Sequence, residues 1–388
     1  MNEFDQNVAS GLASLEQGDI SAAKDLADRL GSLPPEDAGS LSRAKFFEFL
    51  GNLALREGRS QDALDAYRFM IRYEERGGES MGGIGNSWGK LGEAHAQLGN
   101  HGDAVTAFER GIAMMQDGGM APEFIATMSF QLAESLNSLG DYRRSADEFA
   151  RTIGLAQHAP DSKSLAYLNS RLGTVLSQLA AASQVLSQID EFLAQAAEMN
   201  IDLSSFERPH FDEPDVPFRE QMDNAFWAAI KHAKDANNNA LVTQTYAEFG
   251  GLVRTLGDAQ SAAEILAEGV QFLDAEATNA ASASLLEELG EAFCDLGMYE
   301  EAVSTLQGSV ELYTILGQPV PWTHLALARA YSGHQQHDEA IAQLNLAQAD
   351  LGHHVDALRI MADVFEAAGE TTAAQESRDL IAQLENEV

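Results

Sequence analysis

The sequence predicts an all-α solenoid of stacked antiparallel helix pairs, and three observations carry that prediction. The first is a pattern that returns about every forty residues, Gly-x6-Gly-x4-Ala-x3 and then a bulky side chain. It is clear at Gly51, Gly58, Ala63 and Tyr67, and again at Gly92, Gly99, Ala104 and Phe108. Later copies are Gly250, Gly257, Ala262 and Leu266, then Gly290, Gly297, Ala302 and Leu306. A fixed period of this length marks a helical hairpin that cannot bury its apolar face alone, so neighbouring units must stack. The second observation is the turn chemistry. In Leu98-Gly99-Asn100, Leu139-Gly140-Asp141 and Leu256-Gly257-Asp258 the glycine closes one helix in a left-handed conformation and the Asn or Asp caps the next. The third is the other glycine of each unit. It falls mid-helix, where it costs about 1 kcal/mol against alanine. A repeated cost implies close helix crossing, with the small residue receiving a bulky side chain from its paired helix.

Along the chain, turn glycines at 18, 58, 99 and 140 stand 40 to 41 residues apart. Ala63, Ala104, Ala262, Ala302, Ala340 and Ala374 are the expected small residues of the second helices. A weaker first unit holds Gly11, Gly18, Ala23 and Pro35, and a fourth holds Leu132, Ala133, Gly140 and Phe149. A fifth, near Asn169, keeps Leu172-Gly173 but has Ala180 in place of the turn glycine. Two more units close the chain, one with Ala328, Tyr331, Ala340 and Leu344 and one with Ala362, Gly369 and Ala374. In the last, Arg378 replaces the packing aromatic amid Gln375, Glu376, Ser377 and Asp379, as a polar terminal cap requires.

The best copy is Trp88-x2-Leu91-Gly92-x2-His95, Leu98-Gly99-Asn100-His101, Ala104 and Phe108. It resembles the tetratricopeptide repeat, with His95 where a tyrosine is usual. The resemblance covers most of the chain and implies a right-handed superhelical solenoid of about nine helix pairs. The period exceeds the roughly 34 residues usual for this repeat. Extended helices or longer inter-repeat loops, as in kinesin-light-chain-like members, account for that. The fold is nearly silent on function, because unrelated activities share it.

One segment breaks the rhythm. Ile201 to Pro217 holds Pro209, Pro214 and Pro217, five acidic residues, Phe206 and Phe211. Three prolines so close forbid a regular helix. The segment reads as a linker that replaces the first helix of a decayed repeat. It divides the chain into an N-terminal array at 1–200 (about five pairs) and a C-terminal one at 218–388 (about four). The sharper alternative is a functional loop, either a docking motif or an internal pseudo-ligand.

Composition narrows the partner. Asp and Glu number 60 against 24 Lys and Arg, giving a net charge of −36. Such a surface repels phosphate backbones and anionic headgroups, so nucleic acid and membranes are not expected partners. A basic or neutral protein or peptide fits the field, which also keeps an exposed array monomeric or weakly oligomeric. The start, Met1-Asn2-Glu3-Phe4-Asp5-Gln6, lacks a basic region followed by an apolar core. That argues against a secretory signal and makes the cytoplasm the expected compartment.

Four places in the chain invite a chemical reading. Cys294, the single cysteine, lies in an apolar helical run with nothing nearby to lower its pKa. Gly82 to Lys90 is glycine-rich, but Ile84 and Leu91 break the phosphate-loop spacing and Trp88 breaks the dinucleotide one, so an inter-repeat hinge is expected. His324, His334, His337, His353 and His354 fall near expected turns without the carboxylate or thiolate spacing of a zinc site. Arg68, Arg72 and Arg76 form a helix stripe near Glu74, Glu75 and Glu79, expected to be a salt-bridged face. No metal, cofactor or catalytic group is expected.

Function then belongs to the groove that the first helices of such arrays line. Counting from each motif leucine or glycine, the inward residues are Lys45, Glu48, Asn52 and Arg56, then Asn86, Glu93 and Gln97. The next two units give Phe130, Glu134 and Asn137, then Tyr167, Ser170 and Thr174. Amides hold a peptide backbone whatever its sequence, and Phe130 and Tyr167 would seat side chains. Glu48 stands where chaperone-binding relatives carry their first clamp lysine, so a chaperone tail is not the expected ligand. The expected role is a non-catalytic scaffold or adaptor that binds an extended peptide or partner helix. The alternative is a regulator whose superhelix closes on a peptide or small ligand.

Overall fold

A computed structural model describes residues 2–156, 161–199, 201, 214–273 and 279–386, and these form eighteen α-helices and no strand. The chain separates into two compact units, Met1–Pro160 and Asp161–Val388. The first unit holds four hairpins: α1 (Glu3–Glu16) with α2 (Ile20–Leu30), α3 (Ser40–Arg56) with α4 (Ser60–Gly77), α5 (Met81–Gln97) with α6 (His101–Asp117), and α7 (Pro122–Ser138) with α8 (Tyr142–Ala156). The second holds five: α9 (Ser162–Glu198) with α10 (Phe218–Asp235), α11 (Asn239–Thr255) with α12 (Ala259–Val270), α13 (Ala280–Asp295) with α14 (Tyr299–Ile315), α15 (Pro321–Gly333) with α16 (His337–Leu351), and α17 (Val355–Ala367) with α18 (Thr371–Asn386). The expected all-α solenoid of antiparallel pairs is the observed fold. Helices of 17 residues in both α5 and α6 take up the long period, and the turn between them is short.

The predicted reason for the mid-helix glycines holds. A Cβ on Gly51 would lie 2.5 Å from Tyr67 Cε1, and one on Gly92 would lie 2.6 Å from Phe108 Cε1. One on Gly290 would lie 2.5 Å from Leu306 Cγ, so the bulky residue sixteen positions on rests against bare helix. The partner alanines, from Ala63 to Ala374, are all buried. Turns follow the expected chemistry too, with positive φ at Gly58, Gly99, Gly140 and Gly257, and at Gln335 where a unit lacks glycine. Asp258 caps α12 by accepting from Ser261 N at 3.1 Å. Asn100, by contrast, makes no side-chain cap bond. Its backbone N–H instead donates to His95 O at 2.9 Å.

Two expectations are corrected. Gly82 to Lys90 is no hinge but lies within α5. Its glycines let two backbones touch: a Cβ on Gly85 would sit 2.7 Å from Gly111 O, and one on Gly111 would sit 2.8 Å from Gly85 O. The second correction concerns Gly173, whose Cβ would lie 2.5 Å from Phe226 Cε2. That is the same crossing, with the aromatic 53 positions on instead of sixteen. Hence α9 and α10 are the two helices of one hairpin, and the break in rhythm is an insertion inside a repeat. Residues 202–213, with Pro209, Phe206 and Phe211, lie outside the described residues.

The unlike surroundings of two glycines test this account. Gly154, in α8, has open space around it, so Gly154→Ala should raise the urea midpoint through helix propensity, by up to about 1 kcal/mol. Gly85→Ala gains the same propensity but strikes backbone that cannot yield, and should lower stability by about 1–3 kcal/mol. Equal midpoint shifts in the two variants would refute the close-crossing role.

Candidate functional site

The first unit holds a cavity of about 400 Å³ between α1, α3 and α5. Its floor is apolar, from Leu12, Leu15 and Leu55, and its wall carries Glu48, Asn52, Arg56, Glu93 and Gln97. All five wall residues come from the sequence expectation. Lys90 and Glu16, which that reading missed, complete the rim. Lys90 Nζ donates to Glu48 Oε1 at 2.5 Å, and Tyr67 OH donates to Asn52 Oδ1 at 2.8 Å. Because the Asn52 oxygen takes that proton, its NH2 is oriented as the donor edge. Burial raises the Tyr67 hydroxyl pKa, with help from Glu93 and Glu48, so the phenol stays a donor.

The other expected residues of this unit are not brought into that cavity. Lys45 and Asn86 are exposed, a turn or more outside the wall. Phe130 packs edge-on against Phe149, with ring centroids 6.0 Å apart, which makes it part of the α7–α8 contact. Glu134 and Asn137 are half-buried on α7. The arginine stripe is not salt-bridged to its neighbouring glutamates among the described residues. Arg68 pairs with Asp65 at 3.3 Å and Arg72 lies 5.9 Å over the Phe69 ring.

The second unit holds a cavity of about 480 Å³ between α9, α11 and α13. Tyr167, Ser170 and Thr174 line it as expected, joined by Arg171 on the same helix. The opposite wall is Gln244, Glu248, Gly251 and Thr255 of α11, with Ser284 and Glu288 of α13. Sequence reasoning missed this wall, although its signal was present. Tyr167, Ser170 and Thr174 stand six before, three before and one after Gly173. The same offsets from Gly250 give Gln244, Ala247 and Gly251. Ser170 Oγ donates to Glu248 and Gln244 Nε2 donates to its other oxygen at 2.9 Å, tying α9 to α11. Tyr167 is 49% exposed at the mouth.

Below this cavity a ladder of charge crosses three hairpins. Arg254 of α11 reaches Glu288 at 3.2 Å, Glu291 at 3.0 Å and Asp295 at 3.4 Å on α13. Arg329 of α15 meets Asp295 from the far side at 2.6 Å. Burial raises the pKa of both Glu288 and Glu287 even though the first faces Arg254 and the second accepts from Thr323 at 2.6 Å. Gly251 makes room for this, since a Cβ there would lie 2.9 Å from the Glu288 carboxyl carbon.

Cys294 is buried and its thiol pKa is pushed up to about 12 by burial. His334 and His337 stand on either side of the α15–α16 turn, while His324 Nδ1 meets Gln343 at 2.8 Å. Among the described residues no three His, Cys, Asp or Glu side chains are grouped to hold a metal ion, and no helix is long and apolar enough to cross a membrane.

Known proteins supply a comparison. A family model described as tetratricopeptide repeat matches residues 281–351, and a second of the same description matches residues 85–114. No curated protein matches the chain. Among solved structures, the apo form of RapI is similar over 100% of this chain and 98% of its own, with TM-score 0.61 and 11% identity, a likeness of fold. The apo quorum sensor NprR from B. thuringiensis shares 14% identity over 90% of this chain and 88% of its own, with TM-score 0.46. A Rap protein complexed with competence and sporulation factor shares 11% identity over 99% of this chain and 98% of its own, with TM-score 0.41.

Electrostatics beside the first cavity yields a pH prediction. Glu74 of α4 has its pKa raised from 4.5 to about 7, chiefly by burial, with the Ser87 hydroxyl opposing and Glu48 and Glu79 adding to the rise. The folded chain therefore holds this proton more tightly than the unfolded one between those values. Its stabilising contribution is full below pH 4.5 and is lost as pH rises through 7. Glu74→Gln should flatten the fall in urea midpoint from pH 5 to pH 8 and exceed wild type at pH 8. A variant curve parallel to wild type would place the carboxylate in water.

Proposed function

Because the chain is a tetratricopeptide-repeat protein, we propose that it works without catalysis, as an interaction scaffold or adaptor. It holds an extended peptide or partner helix along the faces formed by the first helices of its hairpins. The observation that carries this reading is the pair of cavities on those faces, each with an apolar floor and a rim of amides, hydroxyls and carboxylates. In the first unit Asn52 and Gln97 offer donors and acceptors to a peptide backbone, and Leu12, Leu15 and Leu55 receive an apolar stem. In the second, Gln244, Thr174 and Ser284 do the same around Leu241 and Leu252. The surplus of carboxylates on both rims favours a basic or neutral ligand.

A second reading, a sensor that tightens around a peptide or small ligand, draws on one further observation. Glu288 both lines the second cavity and anchors the Arg254 ladder. A cationic ligand competing for Glu288 would loosen a bond between α11 and α13, coupling occupancy to hairpin spacing.

The test is mass spectrometry of what co-purifies with the full-length protein from its own host. Wild type is compared with Asn52→Ala/Gln97→Ala and with Tyr167→Ala/Gln244→Ala. The scaffold reading expects a protein partner retained by wild type and reduced about tenfold or more by one of the double variants. A short peptide or metabolite alone, with a ligand-dependent change in radius of gyration, would select the sensor. Retention untouched by both variants would remove the cavities from the account.

A further inference from the structure

In the α9–α10 hairpin the first helix is longer than in any neighbouring repeat. First helices such as α3, α5, α7 and α11 run 17 residues, whereas α9 runs 37. Gly173, which meets Phe226, is the twelfth residue of α9, just as Gly51, Gly92 and Gly250 are the twelfth of α3, α5 and α11, so the added length lies beyond the crossing. On the added half, Leu186 and Ala196 are buried, but Val185, Phe192 and Met199 are 54%, 59% and 63% exposed. These three stand seven residues apart, and Met199 N–H still donates to Gln195 O in helical register at 3.1 Å. Scattered exposed apolar residues need no explanation. A heptad-spaced row on a helix longer than its repeat requires is the seam that one helix offers another.

The chemistry beside the row selects the occupant. Gln188 and Gln195 border it, and one position further round the helix stand Glu191 and Glu198, both exposed and without an ion-pair partner among the described residues. A second copy of this chain would bring a net charge of −36 against another −36 and has no lysine or arginine on this stretch to answer those glutamates. We propose that the extension of α9 is a docking surface for an amphipathic helix of a partner protein. That helix seats apolar residues on Val185, Phe192 and Met199 and sets Lys or Arg toward Glu191 and Glu198. The site is separate from both cavities and does not rest on them.

The probe is a labelled three-heptad peptide with Leu at a and d and Lys at e and g, titrated against the full-length protein by fluorescence anisotropy. Binding should weaken with added salt and should fall about tenfold or more in Val185→Ser/Phe192→Ser/Met199→Ser. It should persist in the two cavity double variants. The Glu191→Gln/Glu198→Gln variant should bind a few-fold more weakly, with a shallower salt dependence, and it tests the proposal even if the triple variant loses helix by circular dichroism. Equal binding of a scrambled peptide of the same composition would overturn the proposal, as would a triple variant that stays folded and binds like wild type. Affinity and salt dependence unchanged in the glutamine variant would also overturn it. So would sedimentation showing a wild-type dimer that the triple variant dissolves, because the occupant would then be a second copy.

Discussion

The contact on which the structure depends is the seating of one bulky side chain against one residue that lacks a side chain. Tyr67 on Gly51, Phe108 on Gly92, Leu266 on Gly250 and Leu306 on Gly290 are the same event in different hairpins. Each mid-helix glycine sacrifices about 1 kcal/mol of helix propensity. In return the helix axes approach closely enough for dispersion contacts across the whole crossing. The crossing also fixes rotation. Once the glycine faces its partner helix, residues six, three and two before it and one and five after it are placed together on another face. The cavity walls are built from those positions, so ligand-facing chemistry and core packing share one register.

That register explains what the sequence made legible. The hairpins, their turns and the cavity residues Glu48, Asn52, Arg56, Glu93, Gln97, Tyr167, Ser170 and Thr174 all follow from counting along helices anchored at glycine. Lys45 and Asn86 obey the same count but stand nearer their helix starts, outside the enclosed stretch. Phe130 failed for another reason. Its unit has Ala133 in place of the glycine, and its ring is drawn onto Phe149. Hydrophobic demand overrides a position's nominal face when an aromatic partner is within reach. The glycines of α5 misled because a cluster of them signals a loop in sequence. In the structure it signals backbone contact between α5 and α6.

The ladder shows how an acidic chain places its few cations. Arg254 and Arg329 are both partly buried between carboxylates of α13, which joins α11 to α15 through a shared helix. Desolvation raises the pKa of Glu288 even beside Arg254, so the pairing offsets the burial penalty without erasing it. A bridge of this kind is weak evidence for stability, but it is directional. It fixes which face of α13 meets its neighbours, at the side where the second cavity opens.

The insertion in the fifth hairpin follows from the same constraint. A solenoid unit contacts its neighbours through both helices, so extra residues placed between units would change the stacking of everything beyond them. Residues added at the tip of a hairpin leave Gly173 on Phe226 and the following crossing, Gly250 on Leu266, untouched. Only the tip can grow without moving the array. Growth there gives α9 37 residues against the 18 of α10, which meets it at Phe226. The lengthened helix buries Leu186 and Ala196 on one side and leaves Val185, Phe192 and Met199 exposed on another. The exposed row from Val185 to Met199 is thus a consequence of where the array permits change, and it stands at a place where contact with another molecule disturbs no repeat.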